Sequence, residues 1–271
     1  MVRDAVPCHI RIIMPTIKSP ACYDVSHHKV IPDFSKLDPK PLFMFTKATE
    51  AAPNRGYLHT DKTLPAYLKG MADNGIHRGV FHFNRMSVSP TEQAAHFVNT
   101  ITPHITSADW LVLDLEESKE TAAHIIAFFD YVQKILSNPV MIYSRKNVLE
   151  LMTLSAGQRD RLKQIKIWTA AYPYLPDLYN EPPAYSIPNQ NDWGPVWAWQ
   201  YSAQGRVAGI YSNTEATILG NVDLNWMSTE FIASLKTLPP PEPTPTKAPI
   251  IHIITQENED YPAYDFEMKP K

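Results

Sequence analysis

Three acids stand within four residues at the end of an apolar run, in the stretch WLVLDLEES at 110–118. Side chains of a strand alternate between its two faces. Over 110–116 that sends Leu111, Leu113 and Leu115 to one face and Trp110, Val112, Asp114 and Glu116 to the other. A strand that only had to be buried gains nothing from Asp114 and Glu116. Two carboxyls this close repel when both are ionised, which pushes one pKa upward. A carboxyl kept protonated near neutral pH can work as a general acid. Asp24 in CYDVS and Asp223 in NVDLN carry the same chemistry near the two ends of the chain. An isolated D-x-E at a strand end also serves as a solvated turn or a helix cap, and Glu117, just before Ser118, reads that way. Four acids gathered at one rim would instead need a substrate or a metal to use them.

The spacing argues against a metal. His27, His28 and His82 are the imidazoles that could join the acids as ligands. His27 and His28 are adjacent and point apart on an extended chain, and no H-x-H or H-x-x-x-H spacing occurs. No metal and no cofactor is expected. His82, in FHF, reads either as a hydrogen-bonded interior residue or as a substrate contact. No G-x-S-x-G occurs, and neither cysteine lies in a nucleophile motif.

The elements that must position these acids follow from periodicity and turn signals. Strands are predicted at 21–26, 41–49, 79–83, 110–116 and 139–144. Helices are predicted at 64–75, ending at Gly75, at 89–101, with Ser89 and Pro90 as start signal, and at 118–136, with Ser118 as N-cap. RKNVLELM reads as a further helical stretch. After that the rhythm changes. Strands recur at 165–172, 196–203 and 221–227, but six prolines between 173 and 195 forbid a long helix there. A short helix at 228–235 closes the pattern. Eight strands, with helices mainly after the first several, predict a closed, largely parallel α/β barrel, irregular in its last third. The C-terminal strand ends of such a barrel carry its chemistry. Its first and last strands are neighbours, so Asp24 and Asp223 would meet at the rim that Asp114 and Glu116 reach.

Composition narrows the rest. The chain has 271 residues, 44% hydrophobic, enough for one barrel-sized core. Net charge is −3 and no Lys/Arg run stands out, so no nucleic-acid partner is expected. No apolar stretch approaches the roughly 20 residues of a membrane span. The N-terminus lacks a continuous apolar core and makes a poor signal peptide. Cys8 and Cys22 are too few for a disulfide framework; one bridge and two free thiols both remain open. The reading divides the chain into an N-terminal arm (1–20), the barrel (21–236), a Pro-rich linker (237–249) and a C-terminal tail (250–271).

The segments YDVSHH, FTKATE, GVFHF, LVLDLEE, MIYS, WAWQYS and VDLNWM, in this order, resemble glycoside hydrolase family 25, the Chalaropsis-type lysozymes often found as phage endolysins. The resemblance covers roughly residues 21–236. It implies an irregular TIM-like barrel of five βα units followed by three further strands. It also implies hydrolysis of the β-1,4 bond between N-acetylmuramic acid and N-acetylglucosamine in peptidoglycan. By motif, Glu116 resembles the general acid and Asp114 its assistant. That assistance would orient the 2-acetamido group or stabilise positive charge. Asp24 and Asp223 resemble the remaining acids of the family site. Tyr143 matches a family tyrosine near the reacting sugar, and Gln200 also matches. The chain departs from the family pattern at Lys29, at Ala51, where Gly is usual, and at Phe81, where Tyr is usual.

Sugar rings stack on aromatic faces, and aromatic residues concentrate late in the chain. Tyr172, Tyr174 and Trp193 are expected in a groove. Trp197 and Trp199, sharing a strand face, are expected to pack towards the helices. A muramidase implies peptidoglycan glycan strands as partner and action at the bacterial cell wall. Without a signal peptide, a phage-encoded chain made in the host cytoplasm, or carried in the virion, is expected. A virion or surface component whose barrel binds glycan, anchored through 238–271, is the rival of another class. An enzyme acting on chitin or another N-acetylhexosamine polymer is a third reading.

Overall fold

Leu111, Leu113 and Leu115 point outward into a helical layer, while Trp110 and Val112 point inward, as alternation requires. That division runs through the whole fold. The computed structural model describes residues 19–51, 58–173, 182–212 and 219–237. The chain runs β1 (Cys22–Val25), β2 (Lys29–Val30), β3 (Phe43–Ala51), β4 (Leu58–Thr60), α1 (Leu64–Asp73) and β5 (His77–Phe83). It continues through α2 (Pro90–Ile101), β6 (Trp110–Leu115), α3 (Ala122–Ile135), β7 (Val140–Ser144), α4 (Lys146–Leu149) and α5 (Ala156–Leu162). β8 (Lys166–Ala170), β9 (Val196–Ser212), β10 (Leu219–Met227) and α6 (Thr229–Thr237) complete it. Nearly all of the arm and of the linker, the tail, Cys8 and Tyr174 lie outside the described residues. Cys22 is buried on β1.

Eight of these strands close into a barrel in the order β1, β10, β9, β8, β7, β6, β5, β3, with β3 pairing back to β1. Seven run parallel, and β10 alone runs antiparallel to both neighbours. β1, β3, β5, β6 and β7 are each followed by helix, although after β1 it is only a 3-10 turn at Phe34–Lys36. Between the last three strands the described residues hold no α-helix, only a 3-10 turn at Ala184–Ser186. The irregular barrel of five βα units and three further strands is therefore the observed fold.

The outer layer packs Phe97, Val98 and Ile101 of α2 and Ile125, Phe128 and Val132 of α3 on the leucines of β6. Each fully buried side chain of this kind contributes roughly 1.5–3 kcal/mol. The inner cluster holds Phe43, Phe45, Phe81, Trp110, Val112 and Trp168. Phe231 and Leu235 of α6 cap it from below, against the first residues of β3 and β6. The end of the long β9 also packs on β1, where Val207 and Ile210 join Val25, Ile31 and Phe34 in one cluster with Tyr67 and Met71 of α1. Gly75 ends α1 with φ +65°, the left-handed turn that glycine adopts without strain.

Three local expectations are corrected. α3 starts at Ala122, with Thr121 rather than Ser118 as N-cap, its hydroxyl accepting from His124 N. Ser89 stands at the start of α2, but its hydroxyl meets Thr91 instead of capping the helix. Trp197 and Trp199 do not share surroundings. A register shift between β8 and β9 breaks the alternation. Trp197 packs with Trp110 and Phe231 at the barrel floor, and Trp199 packs with Tyr201 and Trp226. α5, opened by a capping box between Ser155 and Gln158, was not anticipated.

Candidate active site

A hollow of about 300 Å³ opens at the C-terminal ends of the parallel strands. Asp24 of β1, Asp114 of β6, Glu116 just beyond β6 and Asp223 of β10 all line it. Convergence follows from closure. β1 and β10 pair antiparallel with Asp24 directly opposite Asp223. β6 delivers Asp114 on its inward face, level with Tyr143 of β7.

The four acids differ in their surroundings. Asp24 and Asp114 are buried, Asp223 is partly covered, and Glu116 is exposed at the mouth. Burial, reinforced by the charge of Glu116, pushes Asp114 well above the usual carboxylate range. Its Oδ1 meets no hydrogen-bond partner among the described residues. Burial thus disfavours the charged form of Asp114, whose carboxyl lines the hollow. Burial and then the charge of Asp223 raise Asp24, against the pull of two amide donors. A hydrogen bond joins Asp24 to Asp223, raising the first and lowering the second. Burial still leaves Asp223 above its ordinary value, although the Lys29 ammonium pulls it down.

A chain of hydrogen bonds fixes this pair. Gln200 Nε2 and Asn225 Nδ2 both donate to Asp24 Oδ2 at 2.8 Å. Tyr143 and Tyr172 hydroxyls both donate to Gln200 Oε1, at 2.7 and 2.5 Å. Trp168 Nε1 donates to Asn225 Oδ1 at 2.8 Å. The Trp168 ring in turn stacks on Phe45, with centroids 4.1 Å apart. Gly79 makes room for Phe45: a Cβ there would stand 2.5 Å from its ring. Because both lone-pair directions of the Gln200 carbonyl are filled by hydroxyls, its amide nitrogen must face Asp24.

Tyr143, Gln200 and Tyr172 therefore lie at the hollow as expected, Tyr172 half-exposed at its edge. Two other candidates do not. His82 is fully buried on the outer face of β5, stacked on Phe128. Its Nδ1 pairs with Thr49 Oγ1 at 2.7 Å and its Nε2 with Gln93 Oε1 at 2.9 Å. Burial pushes its pKa down to about 4, so it is a neutral structural residue. The flanking Phe81 and Phe83, not His82, face the hollow. Trp193 is likewise buried in the outer core, in one cluster with Leu162 and Ile165.

Sequence reasoning passed over Lys47, Asn225 and Trp168 as site residues. Lys47 lines the hollow, buried, and pairs with Glu50. For two of them a signal was present: Lys47 shares the strand face of Phe43 and Phe45 on β3, and Asn225 stands two residues from Asp223. Glu117, expected as a residue before a helix cap, instead anchors the rim. It accepts from Arg85 Nη1 at 3.2 Å and Met86 N at 3.0 Å, and Arg85 also holds Glu50. Among the described residues no group of three or more His, Cys, Asp or Glu is arranged to hold a metal ion. No helix among them is long and apolar enough to cross a membrane.

The arrangement offers one solvent-facing carboxyl above one buried carboxyl, beside a rigid carboxyl pair and aromatic walls. That set can donate a proton to an oxygen and bind a polar ligand with apolar faces. The model of the glycosyl hydrolases of family 25 matches residues 23–210. A lysozyme from Streptomyces coelicolor superimposes with TM-score 0.62 at 22% identity, over 81% of this chain and 96% of that one. The CTP1L endolysin gives 0.60 at 20% identity, over 80% and 70%. The spore cortex lytic enzyme SleM of Clostridium perfringens gives 0.59 at 21% identity, over 78% and 67%. Likeness at these identities is one of fold. A search of the curated proteins finds no match.

Proposed function

Because the chain belongs to the glycosyl hydrolases of family 25, and is thereby a glycoside hydrolase, we propose that it degrades peptidoglycan. The bond is the β-1,4 link between N-acetylmuramic acid and N-acetylglucosamine, with Glu116 as general acid and Asp114 as its assistant. A lysozyme, an endolysin and a spore cortex lytic enzyme among its structural neighbours support that substrate.

The observation that carries the reading is the meeting of Asp24, Asp114, Glu116 and Asp223 in one hollow at the strand ends. Glu116 is the acid that an incoming glycosidic oxygen reaches without displacing protein atoms. Asp114, whose charged form burial disfavours and whose Oδ1 meets no partner among the described residues, suits a hydrogen bond to the 2-acetamido group better than it suits stabilising positive charge. The Asp24–Asp223 pair keeps the floor of the site polar and fixed. Phe81, Phe83 and Trp168 offer apolar faces for the C–H faces of the sugar rings. Action at the bacterial wall follows from this substrate.

Digestion of purified peptidoglycan tests the proposal. The wild-type chain should release new reducing ends on muramic acid. Glu116→Gln should abolish that release and leave the thermal transition in place, since Glu116 is solvent-facing. Reducing ends on glucosamine, or full activity in the variant, would overturn the assigned bond or the assigned acid.

A further inference from the structure

A second cleft, of about 270 Å³, borders the acidic hollow beyond the ends of β7 and β8. Arg145, Lys146, Glu150, Ala170, Ala171 and Tyr185 line it. Three links tie it to the hollow. Arg145 lies two residues after Tyr143, and Ala171 precedes Tyr172; Tyr143 and Tyr172 line the hollow. Arg145 Nη2 also donates to the backbone carbonyl of Glu116 at 3.4 Å. A polymer lying across the strand ends can therefore occupy both.

The two clefts differ in their balance of charge. The hollow gathers four acids with Lys29 and Lys47, and Lys47 is already paired with Glu50. The second cleft holds two cations and one acid, and that acid is engaged: Glu150 Oε1 lies 3.8 Å from Lys146 Nζ and accepts from Asn189 N at 3.1 Å. Arg145 has no carboxylate partner among the described residues. Its guanidinium fork matches a carboxylate. Ala170 and Ala171 give an apolar floor, and Tyr185, 61% exposed, gives an unburied aromatic wall. Cationic fork, small apolar floor and open aromatic wall suit a short peptide with free carboxylates and methyl side chains.

We propose that this cleft binds the peptide stem carried by the lactyl group of the glycan strand whose sugars occupy the hollow, with Arg145 holding a stem carboxylate. The inference rests on peptidoglycan being the substrate. It adds that the chain reads the peptide as well as the sugar.

Binding separates the two ideas. Soluble glycan strands with intact stems, and the same strands stripped of stems by an amidase, are titrated against the full chain carrying Glu116→Gln, so that nothing is cut. Adding Arg145→Ala should weaken binding of the stem-bearing strands about fivefold, the upper end for a partly solvated ion pair. Binding of the stripped strands should not change. Arg145→Lys should restore part of the loss, and Tyr185→Ala should weaken the stem-bearing strands alone. Equal weakening of both strands would overturn the proposal, because it would place the effect on the sugars or on residue 116 through its carbonyl. No weakening of either would overturn it too. Absence of hydrolysis by the wild-type chain would remove the proposed activity and leave these affinities to decide the cleft.

Discussion

Asp24 on β1 faces Asp223 on β10 across an antiparallel pair of strands, and their carboxyls are hydrogen-bonded to each other. Like charges this close do not both ionise in a buried setting, so the pair behaves as one group. Gln200 and Asn225 hold one oxygen of Asp24, which leaves the other for Asp223. The charge of Asp223 is the second cause, after burial, of the raised Asp24 pKa.

Asp223→Asn removes that charge. The Asp24 carboxyl should then titrate at lower pH than in the wild-type chain. Carbon NMR of labelled aspartate carboxyls reads this directly. An Asp24 resonance that titrates higher, or unmoved, contradicts that coupling.

Tyr143 and Tyr172 both donate to the Gln200 carbonyl, so either hydroxyl alone keeps the amide oriented. Tyr143→Phe and Tyr172→Phe should each reduce kcat modestly, whereas the double variant frees the amide to turn its oxygen towards Asp24. The cycle should show a coupling of about 1 kcal/mol, as for residues that share one partner. Simple multiplication of the two single effects would show that Gln200 is held by something else.

Glu120 lies buried behind the connection from β6 to α3, accepting from Asn84 Nδ2 at 2.7 Å. Burial pushes it from 4.5 to about 7. Between those values the folded chain keeps a proton that the unfolded chain has released. Its stabilising contribution is complete below about pH 4.5 and is lost as pH rises through about 7. Glu120→Gln should therefore gain stability over the wild-type chain on going from pH 5 to pH 8, by about 3 kcal/mol at most. Thermal melts of both proteins at the two pH values check the sign.

His82 has the opposite dependence. Burial moves it from 6.5 down to about 4, so the unfolded chain takes up its proton first as pH falls. The stability it contributes is present above pH 6.5 and is lost as pH falls towards 4. His82→Gln sacrifices the stacking on Phe128 and lowers Tm at pH 7.5. The deficit should shrink at pH 5, and a deficit that grows there would mean that His82 is charged in the folded chain.

The residues most legible in the sequence were those whose neighbours along the strand declare a face. The alternation of Leu111, Leu113 and Leu115 with Asp114 and Glu116 assigned β6 correctly, because a regular strand has a strict period of two. Where a bulge interrupts the period the same rule failed, and Trp197 and Trp199 part company. Trp193 was misplaced, and His82 left between two readings, for another reason. Aromatic and imidazole side chains serve packed interiors and ligand sites alike, and only the surrounding partners decide between them. For His82 those partners come from β3, α2 and α3.

By itself the amino-acid sequence determined the element types, the closed α/β barrel and the four acids that such a barrel would bring together. Those properties are local, or follow from periodicity and the rules of chain closure. Tertiary structure alone decided how each acid is surrounded, because burial and charge at a carboxyl come from strands far apart in the chain. It buried Asp114 and left Glu116 open to solvent. It also set Arg145 against the Glu116 carbonyl, and so placed a cationic cleft beside an acidic one.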